Sequence, residues 1–314
     1  MKYRGLGRSG VRISEIGLGT NQFGGTCDQA TVTAIIDRAL GLGVNFIDSA
    51  ESYAGGKSEE TLGVALKGRW SEVVLATKTG APGGPQAGDA GGRLTRRRIA
   101  ARVEESLRRL GTDCIDVYYF HFPDETTPLE ESLRAMDDLV RAGKIRYPAC
   151  SNYPAWRVAE MMAICDRRGY APPVASQLAY SLLDRGAEKE MLPVCEHFGL
   201  SFIPYSPLAG GFLTGKYRRG VAPAADTRFG RNARGGQRWL TDTSFDALER
   251  LQPLAAQHGR PMGDLAIAWL LSRPVVSSVI AGAVTPEQVE EHVRAAEWVL
   301  SPDEKHEFDL AAAA

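Results

Sequence analysis

Thr31-Val-Thr-Ala-Ile-Ile-Asp-Arg-Ala-Leu-Gly-Leu-Gly43-Val-Asn-Phe-Ile-Asp48 holds one complete step of a repeating fold. Val32, Ile35, Ile36, Ala39 and Leu40 recur at i, i+3, i+4, i+7 and i+8, the spacing that puts apolar residues on one face of a helix. Gly41 and Gly43 fall where such a helix stops, a place that often calls for a left-handed residue. Val44 to Ile47 is then a short apolar run with the composition of a buried strand, and Asp48 is the polar residue just past its end.

The same step repeats outward in both directions. Apolar runs rich in Val, Ile, Phe and Tyr occur at Ile16 to Leu18, Val44 to Ile47, Val73 to Ala76 and Ile115 to Phe120. Four more follow at Ile145 to Cys150, Val174 to Leu178, Ser201 to Tyr205 and Ser277 to Ala281. Helical spacing fills the gaps, as in Ile99, Val103, Leu107 and Leu110, and again in Leu129, Leu133, Met136 and Val140, before the stop at Gly143. Most strand starts recur at about the 30-residue length of a strand–helix–strand unit, which forces neighbouring strands to be parallel. Eight such units close on themselves, so the expected fold is α/β, a (β/α)8 TIM barrel forming one domain over residues 1–314. Two Gly-, Pro-, Ala- and Arg-rich stretches, Gly80 to Gly92 and Leu208 to Trp239, follow strands and read as long loops at the C-terminal face.

Composition narrows the function classes. A chain of 314 residues with 44% hydrophobic and 24% charged residues is an ordinary globular protein. A net charge of −1 supplies no positive field for a polyanion, so no nucleic-acid partner is expected. Arg96, Arg97 and Arg98 precede apolar residues at helical spacing and read as a solvated first turn. Met1 to Arg12 contains no apolar run of signal-peptide or membrane-span length, which leads us to expect a cytoplasmic protein with no membrane partner. Cys27, Cys114, Cys150, Cys165 and Cys195 are odd in number, scattered and without a C-x-x-C pair, so neither a disulfide framework nor a metal site is expected, and most should be buried thiols. The outer helices are ordinarily amphipathic and assign no oligomeric state.

In a barrel of this kind, polar residues just beyond strand ends face the active site. Asp48 and Tyr53 are read as following the second strand, Lys78 the third, His121 the fourth, Ser151 and Asn152 the fifth and Gln177 the sixth, while the seventh ends at Tyr205. Taken one at a time, each has an ordinary reading: an aspartate caps helices, a tyrosine fills cores, a lysine snorkels, a lone histidine is structural. A carboxylate, a phenol, an amine and an imidazole at one face from successive strands is a set that chance seldom supplies.

These residues lie within motifs that resemble the aldo-keto reductase family. The motifs are Gly43-Val-Asn-Phe-Ile-Asp48-Ser-Ala-Glu-Ser-Tyr53, Leu75-Ala-Thr-Lys78, Asp116-Val-Tyr-Tyr-Phe-His121 and Gly143-Lys-Ile-Arg146, then Ser151-Asn152-Tyr153, Gln177-Leu-Ala-Tyr180-Ser181 and Tyr205-Ser-Pro-Leu-Ala-Gly210. The resemblance spans almost the whole chain in order. It implies an oxidoreductase that moves a hydride between a nicotinamide cofactor and a small-molecule carbonyl or alcohol. Tyr53 would be the general acid, Lys78 and Asp48 its supporting pair, and His121 the group orienting the carbonyl oxygen. A free phenol titrates near pH ~10, so a nearby ammonium would ease its deprotonation, and a neutral imidazole could donate to a developing alkoxide. Ser151, Asn152 and Gln177 would hold the nicotinamide carboxamide and Tyr205 would stack on its ring. Ser206, Leu208, Gly210 and Lys216 would line the pyrophosphate, and Gly19, Thr20 and Asn21 would touch the cofactor from the first strand.

Ile280-Ala-Gly282-Ala-Val-Thr285-Pro-Glu-Gln288-Val-Glu-Glu291-His292 resembles the family's adenosine-phosphate segment, with Gly282, Gln288 and Glu291 as implied contacts. It departs from the family at Val284, where many members carry a cation, and at His292, where many carry Asn. A 2′-phosphate would then lose one charge-assisted bond, with the helix start and Arg228 in the preceding loop as substitutes. The resemblance places NADP(H) ahead of NAD(H). Tyr147-Pro148-Ala149-Cys150 also departs from the family, and proline without a ladder donor leads us to expect irregularity near the end of that strand.

Several motifs compete. Tyr53-Ala-Gly-Gly-Lys57 fits the Tyr-x-x-x-Lys pair of short-chain dehydrogenases, but Gly17-Leu-Gly19-Thr-Asn-Gln22 lacks the last glycine of their dinucleotide turn. Gly210 to Lys216 matches a phosphate loop until Tyr217 replaces the Ser or Thr that would hold magnesium. A Schiff-base aldolase using Lys78, a metal hydrolase built on His121 and Asp124, and a cofactor-binding regulatory subunit of the same fold are the readings from other classes. Phe23, Tyr119, Phe122, Trp156 and Trp239 are candidate substrate aromatics, each equally suited to packing.

Overall fold

Eight parallel strands hydrogen-bond into a closed barrel in the computed structural model, which describes residues 1–83 and 92–313. A two-stranded antiparallel hairpin, β1 (Tyr3–Gly5) and β2 (Arg12–Ser14), comes first. The barrel follows as β3 (Ile16–Gly19), β4 (Phe46–Asp48), β5 (Val74–Thr79), β6 (Ile115–Phe120), β7 (Ile145–Ser151), β8 (Ala175–Ala179), β9 (Ser201–Tyr205) and β10 (Val279–Gly282). Around it run α1 (Gln29–Gly41), α2 (Lys57–Ala65), α3 (Arg96–Leu110), α4 (Leu129–Arg141), α5 (Ala155–Arg168) and α6 (Met191–Phe198). Two short helices, α7 (Arg228–Arg231) and α8 (Ala233–Gln237), sit in the long loop after β9, followed by α9 (Asp242–Gln257), α10 (Met262–Leu271), α11 (Pro286–Ala295) and α12 (Pro302–Ala313). The expected (β/α)8 architecture is therefore present, with each of the eight apolar runs overlapping a barrel strand.

The step at residues 31–48 shows why. Asp28 caps α1 by accepting from the Thr31 N–H at 2.9 Å, and Val32, Ile35, Ile36 and Ala39 are buried against the barrel wall. Fully burying each such side chain contributes about 1.5–3 kcal/mol, and Ile35→Ala would cost about 2–5 kcal/mol. Gly43 takes φ +80°, where a Cβ would come within 2.9 Å of the Tyr3 hydroxyl, so the turn into β4 depends on glycine. Gly41 does not adopt a left-handed conformation; it is the last residue of the helix itself.

Three features depart from the sequence reading. The N-terminal hairpin was not foreseen: Leu6 and Ile13 pack with Phe46, Ala76, Val117 and Ile203 in the barrel's interior cluster, and Arg4 donates to the carbonyls of Leu271 and Val276. Strand β7 runs unbroken through Pro148, because the proline carbonyl accepts from Val174 N–H and its donor-less nitrogen faces the same side, where β8 has not begun. Arg98 is buried, folded back to the Gly92 carbonyl at 3.4 Å, while Arg96 and Arg97 are solvated as expected. Lys57 is exposed at the start of α2. Most of the Gly80–Gly92 loop lies outside the described residues.

Candidate active site at the C-terminal mouth of the barrel

Neighbouring strands bring the four candidate groups together. Strand β4 pairs with β5 and β5 with β6, with Asp48 opposite Ala76 and Lys78 opposite Tyr119, so Asp48, Lys78 and His121 emerge at one rim. Side chains alternate along a strand, which turns Lys78 inward and Thr77 and Thr79 outward. Tyr53 arrives from the β4–α2 loop, followed by Ala54, Gly55 and Gly56 in left-handed conformations that swing the chain sharply into α2. His121 N–H donates to Thr79 O at 2.8 Å, fixing the imidazole-bearing backbone to the end of β5.

Lys78 is wholly buried. Its ammonium donates to Asp48 Oδ2 at 2.5 Å, Ser49 O at 2.8 Å and the Tyr53 hydroxyl at 3.4 Å. Burial pulls the Lys78 pKa down, but Asp48 and Tyr53 outweigh it and the net shift is upward, so the side chain is a held cation. Burial pushes the Tyr53 phenol up, and the Lys78 ammonium offsets only part of that, so the easing expected of Lys78 is real but does not dominate. The Tyr53 and His121 rings meet edge to face, with centroids 5.9 Å apart. His121 stacks on Phe122, and burial together with the Lys78 charge lowers its pKa from 6.5 to about 3, leaving a neutral imidazole. Its Nδ1 is buried with no hydrogen-bond partner among the described residues.

From Asp48 and Tyr53 a cavity of about 320 Å³ extends between the β9–α9 loop and the β10–α11 turn. Its walls include Gly19, Thr20 and Asn21 after β3, then Tyr205, Ser206, Leu208 and Gly210 after β9, with Lys216 and Arg228 further along the same loop. Gly282, Gln288 and Glu291 face them from β10 and α11. Ser151, Asn152 and Gln177 stand behind this wall rather than in it. Gln177 donates to Asp48 Oδ1 at 3.0 Å, while Asn152 donates to His121 O at 2.9 Å and accepts from the Tyr205 hydroxyl at 2.7 Å. Thr20 is fully buried and bonds the Asp48 carbonyl. Asn152 (φ 62°), Ser206 (φ 57°) and Ala209 (φ 49°) hold left-handed backbones that cost of order 1 kcal/mol or more each, and all three lie beside this cavity.

Sequence reasoning missed Arg231, Asp226 and Thr214, which also line the cavity. Arg231 stands three residues after Arg228, the interval that puts two side chains on one helix face, and that spacing was the available signal. Arg231 and Val284 line the same cavity, so a guanidinium shares the site where Val284 brings no cation of its own. His292 also lines that cavity, and burial lowers its pKa to about 4. Of the candidate aromatics, Phe122 stacks on His121, and the fully buried Tyr119 ring has its centroid 5.7 Å from the Lys78 ammonium; Phe23 is fully buried packing, Trp239 lies under the Arg238 guanidinium, and Trp156 is exposed. Among the described residues no cluster of three or more His, Cys, Asp or Glu could hold a metal, and no helix is long and apolar enough to cross a membrane.

The chain is similar to known proteins over almost its whole length. The model of the aldo/keto reductase family matches residues 15–312. A probable voltage-gated potassium channel subunit beta of Oryza sativa subsp. japonica is 38% identical over 96% of this chain and 94% of its own length. An uncharacterized oxidoreductase of Bacillus subtilis is 36% identical over 96% of this chain and 93% of its own length. L-glyceraldehyde 3-phosphate reductase of Escherichia coli K12 is 34% identical over 94% of this chain and 87% of its own.

Proposed function

The chain belongs to the aldo/keto reductase family, and from that premise we propose that it is an NAD(P)(H)-dependent oxidoreductase reducing an aldehyde or ketone, or oxidising the matching alcohol. The observation that carries this reading is the Tyr53 hydroxyl held 3.4 Å from a buried Lys78 ammonium at the head of a long cavity. A bound nicotinamide would supply the hydride. Tyr53 Oη gives the proton to the substrate oxygen, and the Lys78 cation, held by Asp48, stabilises the phenolate left behind. Neutral His121 would direct a ring N–H at the same oxygen, where a charged imidazolium would instead compete with Tyr53 as the proton donor.

The walls suit a dinucleotide. Tyr205 would stack on the nicotinamide, with Asn152 bracing its hydroxyl, and Ser151 and Gln177 would serve the carboxamide. A Cβ on Gly210 would come within 2.9 Å of the Phe229 ring, so this stretch of loop stays thin beside the cavity. Lys216, Arg228 and Arg231 make no ion pair among the described residues, and three cations facing one cavity suit phosphoryl groups. With Gln288, Glu291 and Gly282 opposite, this end favours NADP(H) over NAD(H).

The Schiff-base alternative needs a neutral amine, and Lys78 instead carries three hydrogen-bond acceptors and a raised pKa. The second reading is a cofactor-binding regulatory subunit, favoured by the names of the plant relatives. Turnover separates the two. Fluorescence titration with NADPH and NADH followed by a panel of aldehydes and ketones tests the proposal: binding with turnover supports an enzyme, and binding without turnover on any carbonyl supports the subunit. The working location proposed is the cytoplasm, with a small molecule as the substrate.

A further inference from the structure

Behind β5, on the outer surface of the barrel, lies a second group of buried charges that the proposed chemistry does not use. Thr77 and Thr79 flank Lys78 and face outward, and each donates to a buried carboxylate, Thr77 to Glu59 at 2.7 Å and Thr79 to Glu51 at 3.0 Å. Glu59, on α2, pairs with Arg109 of α3 at 2.9 Å. Glu105 joins Arg109 at 3.1 Å to Arg102 at 2.6 Å, and Arg102 returns to Glu51 at 4.0 Å. The two ends of this belt differ. Both oxygens of Glu59 are bonded, whereas Glu51 Oε2 is buried with no hydrogen bond among the described residues. An unsatisfied buried carboxylate oxygen costs stability, which makes its retention informative.

Glu51 lies in the loop between Asp48 and Tyr53. Its Oε1 accepts from the Thr79 hydroxyl and from Gly80 N–H at 2.9 Å, and its own N–H donates to Lys78 O at 3.1 Å. Three bonds thus stitch the tyrosine-bearing loop to the lysine-bearing strand. The contact they set, 3.4 Å from Tyr53 to Lys78, is at the long limit of a hydrogen bond, so a shift of a few tenths of an ångström breaks it.

We infer that Glu51 is a positioning residue: anchored to Thr79 and Gly80 and backed by Arg102, it sets the distance between the Tyr53 phenol and the Lys78 ammonium. This rests on the reading of Tyr53 as the acid. Glu59 is the internal control, since it is buried in the same belt and bonds β5 through Thr77 on the other side of Lys78, but makes no hydrogen bond to the tyrosine loop among the described residues.

The test is crystal structures and kcat for Glu51→Ala, Glu51→Gln, Glu59→Ala and Thr79→Val in the full chain. In Glu51→Ala the Tyr53–Lys78 separation grows past hydrogen-bond reach and kcat falls by up to about a hundred-fold, the effect of misplacing a reacting group by about 1 Å, with nucleotide Kd within about two-fold. Glu51→Gln, whose amide oxygen still accepts from Thr79 and Gly80, recovers most of it. Glu59→Ala lowers Tm and leaves the separation and kcat as they were. Should Glu51→Ala fail to fold, Thr79→Val removes one anchor alone and lengthens the same contact. An unchanged Tyr53–Lys78 contact in Glu51→Ala or Thr79→Val, or an equal loss of kcat in Glu59→Ala, overturns the inference. A parent protein that turns over no carbonyl refutes the proposed function instead, and the measured separations still decide the positioning role.

Discussion

Gln177 and Asp48, 129 residues apart in the chain, are joined by a 3.0 Å hydrogen bond from the side-chain amide to Oδ1, while Lys78 occupies Oδ2 at 2.5 Å. The carboxylate is thereby held from two strands, β8 and β5, and it cannot turn without breaking one of them. That bond uses one hydrogen of the Gln177 amide, so in the proposed enzyme Gln177 would offer a carboxamide its carbonyl oxygen and its second N–H.

Lys78→Met tests the strength of that arrangement. Asp48 and Lys78 have side-chain exposures of 3% and 0%, and removing one partner of so buried a pair costs about 3–5 kcal/mol, because the remaining charge has no solvent to turn to. Urea unfolding should show that loss. Asp48→Asn combined with Lys78→Met should recover part of it, and a single mutant as stable as the parent would contradict the pairing.

The pH dependence follows from two histidines buried neutral. His121 and His292 have folded pKa values of about 3 and about 4 against an ordinary 6.5. Above 6.5 both states are uncharged and stability is complete; as pH falls below 6.5 the unfolded chain binds protons that the folded chain refuses, and stability drops towards pH 4 and then 3. Urea midpoints across this window should fall less steeply in His292→Asn. For His121, the profile of kcat/KM should lack a histidine limb near 6.5; a limb there would mean that the imidazole takes up a proton at ordinary pH.

Cofactor choice should reside in the loop after β9. Arg231→Ala is expected to weaken NADPH by about ten-fold or more, the worth of one charge-assisted hydrogen bond, and to leave NADH within about two-fold. Fluorescence titration with each nucleotide measures this, and parallel losses for both would assign Arg231 to the pyrophosphate or to folding.

The sequence displayed the barrel because its strands are buried on both faces and read as continuous apolar runs, and it displayed Asp48, Lys78 and His121 because strand ends aim polar groups at one rim. It hid what depends on partners far along the chain. The hairpin strands Tyr3–Gly5 and Arg12–Ser14 are three residues each, too short to show a period. Arg98, Arg102 and Arg109 have the spacing of a solvated helix face, yet are covered: Arg109 meets Glu59 from 50 residues away. Burial of a charge is decided by such a partner, and no local pattern announces it. Pro148 misled for the same reason, since the tolerance of a proline in a strand depends on what its neighbour offers at that register.

Tyr53→Phe tests the central claim most directly, by comparing NADPH binding with carbonyl-dependent NADPH oxidation in mutant and parent. The phenol's role as proton donor predicts an unchanged Kd and a turnover lowered about 10²–10⁴-fold, the usual worth of a positioned general acid. Equal turnover in the two proteins would contradict it.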